Sequence, residues 1–180
     1  GSNNMNKKIL AAVLLIYFLA IGYIMYSNSH LVYVNNTDPE ILEQLRNHLE
    51  PSDTKIAADN AKIILRTTKK IYEIGDTITV VFENISPVTF IGGWDVIYEI
   101  NIDGEWYVVP NMAGWRQLGI MIYPWDVATV EVRTDNIGFD WIPGHYRIIK
   151  SVFAESSAKT VGSSIFYDYE YYAAEFYLKN

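Results

Sequence analysis

The sequence predicts an all-β domain, a sandwich of two antiparallel sheets, preceded by an apolar N-terminal segment. Three observations predict it. Residues 9–26 form an unbroken apolar run. From Ile63 onward, short segments alternate between apolar and polar residues, as half-buried strands do. Turn residues (Gly, Pro, Asn and Asp) separate these segments, and no helical pattern intervenes.

The apolar run predicts where the rest of the chain resides. Roughly 18 apolar residues can span a bilayer or form the core of a signal peptide. Lys7 and Lys8 stand on its short N-terminal side, which the positive-inside rule keeps in the cytoplasm. We therefore expect residues 5–29 to be a signal peptide or an uncleaved single-pass anchor, preceded by a cloning remnant at residues 1–4. The rest should be extracytoplasmic, with a stalk and short helix at residues 30–62 and a globular domain at residues 63–180.

The charge balance and the lack of cysteine exclude several classes of partner and site. The chain of 180 residues carries 14 basic and 21 acidic residues and has a net charge of −7. This balance argues against nucleic acid and anionic lipid surfaces as partners, since both require clustered Lys and Arg. The chain has no cysteine, so disulfides, thiolate metal sites, cysteine nucleophiles and a lipoprotein anchor are excluded.

One soluble helix is predicted, at residues 39–49. Thr37 or Asp38 can cap it, and Pro39 suits the first helical position. Ile41, Leu42, Leu45 and Leu49 recur at helical spacing, which predicts a face docked on the domain. A partner-binding helix is the alternative.

The strands are predicted from alternation and from turns. A hairpin is expected at residues 94–109, because the turn at residues 101–104 contains Gly104, which can supply a positive φ. The other predicted strands lie at residues 77–82, 128–133, 146–153 and 172–178.

Three segments carry a similarity to a known family. Gly75-Asp76 leads into a strand that ends Phe82-Glu83-Asn84, Pro143-Gly144 is followed by Tyr146-Arg147, and a final strand lies at residues 174–178. These segments resemble the bacterial immunoglobulin-like (Big-type) domains of Gram-positive surface proteins. The resemblance extends over residues 63–178. It implies an immunoglobulin-like β-sandwich of about seven antiparallel strands.

Two aromatic residues have structural roles in this interpretation. Tyr146 follows the Pro143-Gly144 turn and can return its hydroxyl to a backbone group as a tyrosine corner. Trp94, at the start of a central strand, can fill the space between the sheets.

Val81-Phe82-Glu83-Asn84 and the hairpin at residues 94–109 carry a second, more distant similarity. They resemble the Bacillus intracellular proteinase inhibitor family. That family is cytoplasmic, so the predicted export signal counts against it.

A search for chemistry predicts no catalytic residue, no metal site and no cofactor. His30, His48 and His145 stand alone in sequence and are expected to be solvent-exposed. Asp168 and Glu170 are two residues apart and share one predicted strand face. They are too few to make calcium binding or acid–base catalysis the preferred interpretation.

An excess of aromatic residues indicates a binding surface. Tyr167, Tyr169 and Tyr171 are expected on one face of the last strand, and Trp115, Tyr123 and Trp125 in the loop before the Val130 strand. Exposed rings of this kind stack on sugars or anchor a protein partner. The alternative is that they complete the packing of the domain.

These observations favour a non-catalytic binding or structural module of the bacterial cell envelope. The expected partner is a protein or a cell-wall polysaccharide, and the sequence features are compatible with both. The membrane is contacted through the N-terminal apolar segment. The alternative function is a proteinase inhibitor that presents one rigid loop from the sandwich.

Overall fold

A computed structural model describes residues 37–57, 62–93, 96–110, 119–133, 138–161 and 164–180. The predicted signal or anchor, His30, Trp94 and Trp115 lie outside these residues. In this described part of the chain, no helix combines the length and the hydrophobicity that a bilayer-spanning segment requires. The elements, in chain order, are α1 (Pro39–His48), β1 (Glu50–Pro51), β2 (Ile63–Thr67), β3 (Ile71–Glu73), β4 (Thr77–Asn84), β5 (Phe90–Gly93), β6 (Ile97–Ile102), β7 (Glu105–Val109), β8 (Gly119–Ile122), β9 (Val127–Arg133), β10 (Gly144–Ala154), β11 (Lys159–Val161), β12 (Ser164–Phe166) and β13 (Tyr169–Lys179).

Helix α1 forms where the capping residues predict it. The Asp38 side chain accepts a hydrogen bond from the backbone N–H of Glu40, and Pro39 occupies the first helical turn. Leu42 and Leu45 are half-buried against the core, so the predicted docking face is confirmed in this part. Ile41 is the exception, because 40% of it remains exposed.

The smaller sheet has the order β2-β4-β9, and both of its pairings are antiparallel. Ile78, Val80 and Phe82 of β4 point into the core and are fully buried, as their alternation predicts. Val130 of the neighbouring strand β9 is buried beside Val80, its partner in the register.

The larger sheet has the order β1-β7-β6-β10-β13-β3, and β5 joins it by pairing with both β10 and β8. Its centre is the long antiparallel pair β10–β13, which runs from Gly144↔Leu178 to Phe153↔Tyr169. The predicted hairpin is confirmed as β6–β7, with positive φ at Asp103 and Gly104. A separate two-stranded hairpin, β11–β12, extends beyond the end of the β10–β13 pair.

One hydrophobic core joins the two sheets. It includes Phe82 and Ile78 from the smaller sheet and Tyr98, Tyr146 and Phe176 from the larger one. The described residues therefore form a mostly β, largely antiparallel fold whose two sheets share a core.

The tyrosine corner is present. Tyr146 is fully buried, and its hydroxyl donates a 2.9 Å hydrogen bond to the carbonyl of Ile142, four residues earlier. Burial raises the pKa of this hydroxyl, which keeps it protonated as a donor.

The expectation of about seven antiparallel strands is wrong in number, and one strand pairing departs from it in orientation. Thirteen strands occur in the described part of the chain, and β3 pairs with β13 in parallel, with Ile71 opposite Tyr177. The additional strands are short ones, such as β1, β5 and β8. Such segments escape detection because two to four residues are too few to show alternation.

The segment of residues 52–57, here called the strap, crosses the outer face of the larger sheet. At one end, the backbone N–H of Ser52 donates to the carbonyl of Trp106 on β7, at 2.8 Å. At the other, the N–H of Ala57 donates to the carbonyl of Tyr171 on β13, at 2.7 Å. The β6 and β10 strands lie between these two anchor points in the sheet order.

Candidate binding surface

The strand register joins the two predicted aromatic clusters across the outer face of the larger sheet. Met121 on β8 stands opposite Ile91 on β5, Ile91 opposite Phe153 on β10, and Phe153 opposite Tyr169 on β13. Directly paired residues share a face, so these four side chains form one row. We call this row the apolar strip; at about 4.8 Å between strands, it extends about 14 Å.

The side chains at both ends of the strip are exposed. Met121 is 44% exposed and Tyr169 52% exposed. At the first end the Tyr123 hydroxyl lies 3.9 Å from the sulfur of Met121. At the other end Tyr167 packs on Phe153, with 4.1 Å between ring centroids, and lies 6.4 Å from Tyr169. Predicted site residues that are 44 positions apart in sequence thus belong to one surface.

Trp125 lies in the turn that follows Tyr123, and its backbone is strained. The N–H of Asp126 donates to the carbonyl of Tyr123 at 3.1 Å, which closes a four-residue turn with Pro124 second and Trp125 third. Trp125 has a φ of +64°, a region where glycine is preferred and where other L-residues cost about 1–2 kcal/mol. Its side chain is 68% exposed, so burial does not offset this cost.

Asn84 holds this turn in place, a role that was not predicted from its position at the end of the Phe82-Glu83-Asn84 motif. It is buried, and its side-chain N–H₂ donates to the carbonyls of Val88 at 2.7 Å, Tyr123 at 2.9 Å and Ile122 at 3.2 Å. These bonds connect the end of β4 to the segment before β5 and to the β8–β9 turn. A strand ending in a lone Asn before a Ser-Pro turn is the signal that could have indicated it.

A groove lies between the strap and the start of β13, next to the Tyr169 end of the strip. It has a volume of about 600 Å³, within the range of ligand-binding clefts. Asp53, Thr54 and Lys55 of the strap form one wall, and Tyr169 and Tyr171 form another.

The predicted grouping of three tyrosines on the last strand needs correction. Strand β13 begins at Tyr169, so Tyr167 precedes it, and its ring reaches the strip by stacking on Phe153. Tyr171 faces the groove and is only half-exposed, because the strap anchors to its backbone.

His145 is not the solvent-exposed histidine that the sequence analysis expects. Its ring stacks on Tyr177, with centroids 4.5 Å apart and planes 13° apart, and contacts Trp106 at 5.1 Å. Its Nε2 lies 3.0 Å from a carboxylate oxygen of Glu175. That hydrogen bond is the main cause of the lowered pKa of Glu175. His48, in contrast, lies on the exposed face of α1.

A cluster of polar side chains anchors the strap to the sheet. Glu99 is fully buried and accepts hydrogen bonds from Ser52 of the strap and from Arg147 Nε, the latter at 2.6 Å. The Arg147 guanidinium also stacks over the Trp106 ring, 4.3 Å from its centroid. These contacts give Glu99, Arg147 and Trp106 a structural role in holding the strap on the sheet.

The carboxylates Asp168 and Glu170 do not form a shared site. Asp168 precedes β13 and pairs with Lys159 at 2.5 Å, whereas Glu170 pairs with Lys62 and accepts a 2.7 Å hydrogen bond from Tyr172. Burial alone would raise the pKa of Glu170, but the bonds from Lys62 and Tyr172 outweigh burial and lower it. Among the described residues, no three potential metal ligands come together.

Comparison with known proteins identifies the family. A family model described as "Bacterial Ig-like domain" matches residues 59–171. The chain belongs to this family. The predicted resemblance to bacterial immunoglobulin-like domains is thereby confirmed, and with it an immunoglobulin-like fold. No curated protein sequence matches the chain.

Solved structures similar to the chain include three bacterial proteins of different kinds. The DNA glycosylase AlkC of Pseudomonas fluorescens, bound to DNA with an abasic-site analogue, is 15% identical, with 69% of this chain and 32% of AlkC covered and a TM-score of 0.33. A β-glucosidase of Listeria innocua is 16% identical, with 66% and 16% covered and a TM-score of 0.31. The PmoD soluble domain of Methylocystis is 11% identical, with 71% and 99% covered and a TM-score of 0.34. The chain thus spans about a third of AlkC and a sixth of the glucosidase, and scores this low support no argument about function.

Proposed function

We propose that this protein is a non-catalytic binding module of the bacterial cell envelope and that it contacts its partner through the apolar strip and Trp125. The single observation that carries the proposal is the register row Met121–Ile91–Phe153–Tyr169, which joins exposed aromatic residues into one surface. Contiguous apolar side chains at a protein surface are typical of interaction sites.

The construction of the surface supports binding. Its side chains are aromatic or aliphatic, and the four residues of the strip include no carboxylate, imidazole, amine or thiol. Trp and Tyr are the residue types that contribute most to binding energy at protein interfaces. The strained and exposed Trp125 fits the same purpose, since backbone strain concentrates at functional positions.

The location in the envelope rests on the sequence. The apolar run at residues 9–26 behind Lys7 and Lys8 favours export with the globular part outside the membrane. A module held there would meet envelope partners through the strip.

The test is capture from envelope extract with the full chain kept in mild detergent. The double variant Tyr123→Ala/Trp125→Ala is compared with the control Ile41→Ala/Ile74→Ala, which removes exposed apolar side chains from the helix and from the β3–β4 turn. We expect captured partners to be lost with the first variant and retained with the control. Equal capture by the wild type and both variants would refute the strip as the contact surface.

The same proteins separate this function from the proteinase-inhibitor alternative. An inhibitor would block a secreted protease at a one-to-one ratio, and the loss of Trp125 from its rigid turn would relieve the inhibition. A binding module leaves protease activity unchanged at every ratio.

A further inference from the structure

We propose that the groove between the strap and β13 binds an uncharged oligosaccharide segment of a glycan. This inference deepens the proposed binding function by assigning a ligand class to a site next to the apolar strip. It rests on the groove lined by Asp53, Thr54, Lys55, Tyr169 and Tyr171.

The lining suits the alternating surface of a sugar. A pyranose presents apolar C–H faces, which stack on aromatic rings, and hydroxyl groups, which bond to carboxylates and hydroxyls. Tyr169 and Tyr171 supply the rings, and Asp53 and Thr54 supply the short polar groups on the facing strap. The volume of about 600 Å³ is sufficient for a small ligand.

An extended peptide fits this groove less well. A peptide that adds a strand to a sheet needs free backbone groups at the sheet edge. Here the edge of β13 at Tyr171 is already occupied, because Ile56 forms a parallel bridge with Tyr171 and Ala57 donates to its carbonyl. The groove therefore offers side chains to a ligand at this position. A peptide that binds as a β-strand would need free backbone N–H and C=O groups there.

The charges argue against a polyanionic glycan. Among the lining residues that the structure describes, Lys55 is the one cationic residue, and it is accompanied by Asp53 and Glu170. Recognition of a phosphate- or carboxylate-bearing polymer needs several Lys or Arg side chains along its path. An uncharged saccharide has no such requirement.

Hydrogen bonds at both ends of the strap hold its wall of the groove in a fixed position relative to β13. Ser52 bonds to the buried Glu99 at one end of the strap, and Ala57 bonds to β13 at the other. The N–H of Thr54 also donates to the Ser52 hydroxyl, at 3.2 Å, which fixes the turn that carries Asp53. A wall held at several points lowers the entropic cost of ordering it around a ligand.

The experiment is titration calorimetry of the full chain with cellotetraose and tetra-N-acetylchitotetraose as uncharged probes and with polygalacturonate fragments as the charged comparison. We expect binding of at least one uncharged probe, and no binding of the charged fragments. Tyr169→Ala should weaken the binding about tenfold or more. Asp53→Ala should weaken it too, through a polar contact rather than a stacking one.

The matched control is Phe166→Ala. Phe166 is 56% exposed and Tyr169 52% exposed, so both substitutions remove a similarly accessible ring, but of the two only Tyr169 lines the groove. The inference is overturned if neither uncharged probe binds, or if Phe166→Ala weakens binding as much as Tyr169→Ala. If partner capture still depends on Tyr123 and Trp125 while no saccharide binds, the proposed function stands and this inference fails.

Discussion

Replacing Trp125 with glycine should stabilise the protein relative to replacing it with alanine. Both substitutions delete the same indole ring, so lost side-chain contacts cancel in the comparison. What remains is the backbone at φ +64°, where alanine keeps the steric cost and glycine does not. Alanine at a positive φ is destabilising relative to glycine by about 1 kcal/mol, even after the greater entropy of unfolded glycine is included.

The comparison with tryptophan has the same sign but is smaller. Glycine relieves about 1–2 kcal/mol of strain and gives back up to about 1 kcal/mol of backbone entropy. With the Trp125 side chain 68% exposed, little burial is lost. We therefore expect Trp125→Gly to be as stable as the wild type or more stable by up to about 1 kcal/mol.

Urea unfolding followed by circular dichroism measures the difference. With a slope of about 2 kcal/mol per molar urea, the midpoint of Trp125→Gly should lie about 0.5 M above that of Trp125→Ala, at equal slopes. An alanine variant at least as stable as the glycine variant would show that the turn does not hold a positive φ in solution. Partner capture should fall in both variants, so that stability and binding change in opposite directions for Trp125→Gly.

Four further results are expected. Tyr146→Phe should cost about 1–2 kcal/mol in urea unfolding, because the hydrogen bond to Ile142 is lost in a buried site, whereas Tyr167→Phe, at an exposed ring, should be neutral. Phe82→Ala should cost roughly 3–5 kcal/mol and leave little folded protein by circular dichroism. Because the pKa of Glu170 is lowered in the fold, its ionised carboxylate stabilises the fold above the ordinary pKa of 4.5, and this stabilisation is lost as pH falls through the folded pKa. Glu170→Gln should therefore make the melting temperature decline less steeply as the pH is lowered into the acid range. An unchanged dependence of melting temperature on acid pH would contradict this. Protease added to intact protoplasts should remove the globular part, and full protection would refute its external location.

The sequence predicts the core strands well because their side chains obey a simple alternation. Ile78, Val80 and Phe82 occupy every second position and are all buried. The tyrosine corner is predictable for a related reason. Pro143-Gly144 fixes the turn, which places the Tyr146 hydroxyl within hydrogen-bond distance of the Ile142 carbonyl. Local patterns of this kind need no knowledge of distant contacts.

The outer face could not be predicted in the same way. Glu99 and His145 look like surface residues in sequence, yet Glu99 is fully buried under contacts with Ser52 and Arg147, and His145 stacks on Tyr177. Each of these contacts joins residues more than 30 positions apart. The Ser52–Glu99 contact depends on the strap crossing the sheet, which a polar segment without alternation does not reveal. The other two depend on strand register, because Arg147 lies opposite Glu99 and His145 lies opposite Tyr177.

For the candidate surface, too, composition identifies the residues, but strand register determines how they are arranged. Composition alone identified Tyr123, Trp125, Tyr167 and Tyr169 as residues without an evident structural role, but in two separate groups. Their junction depends on Ile91 and Phe153, which are ordinary strand residues whose importance comes only from the pairing of β8, β5, β10 and β13. A one-residue shift in any of these pairings would turn part of the row into the core. Strand register therefore determines whether these aromatic residues form one binding surface or two unrelated patches.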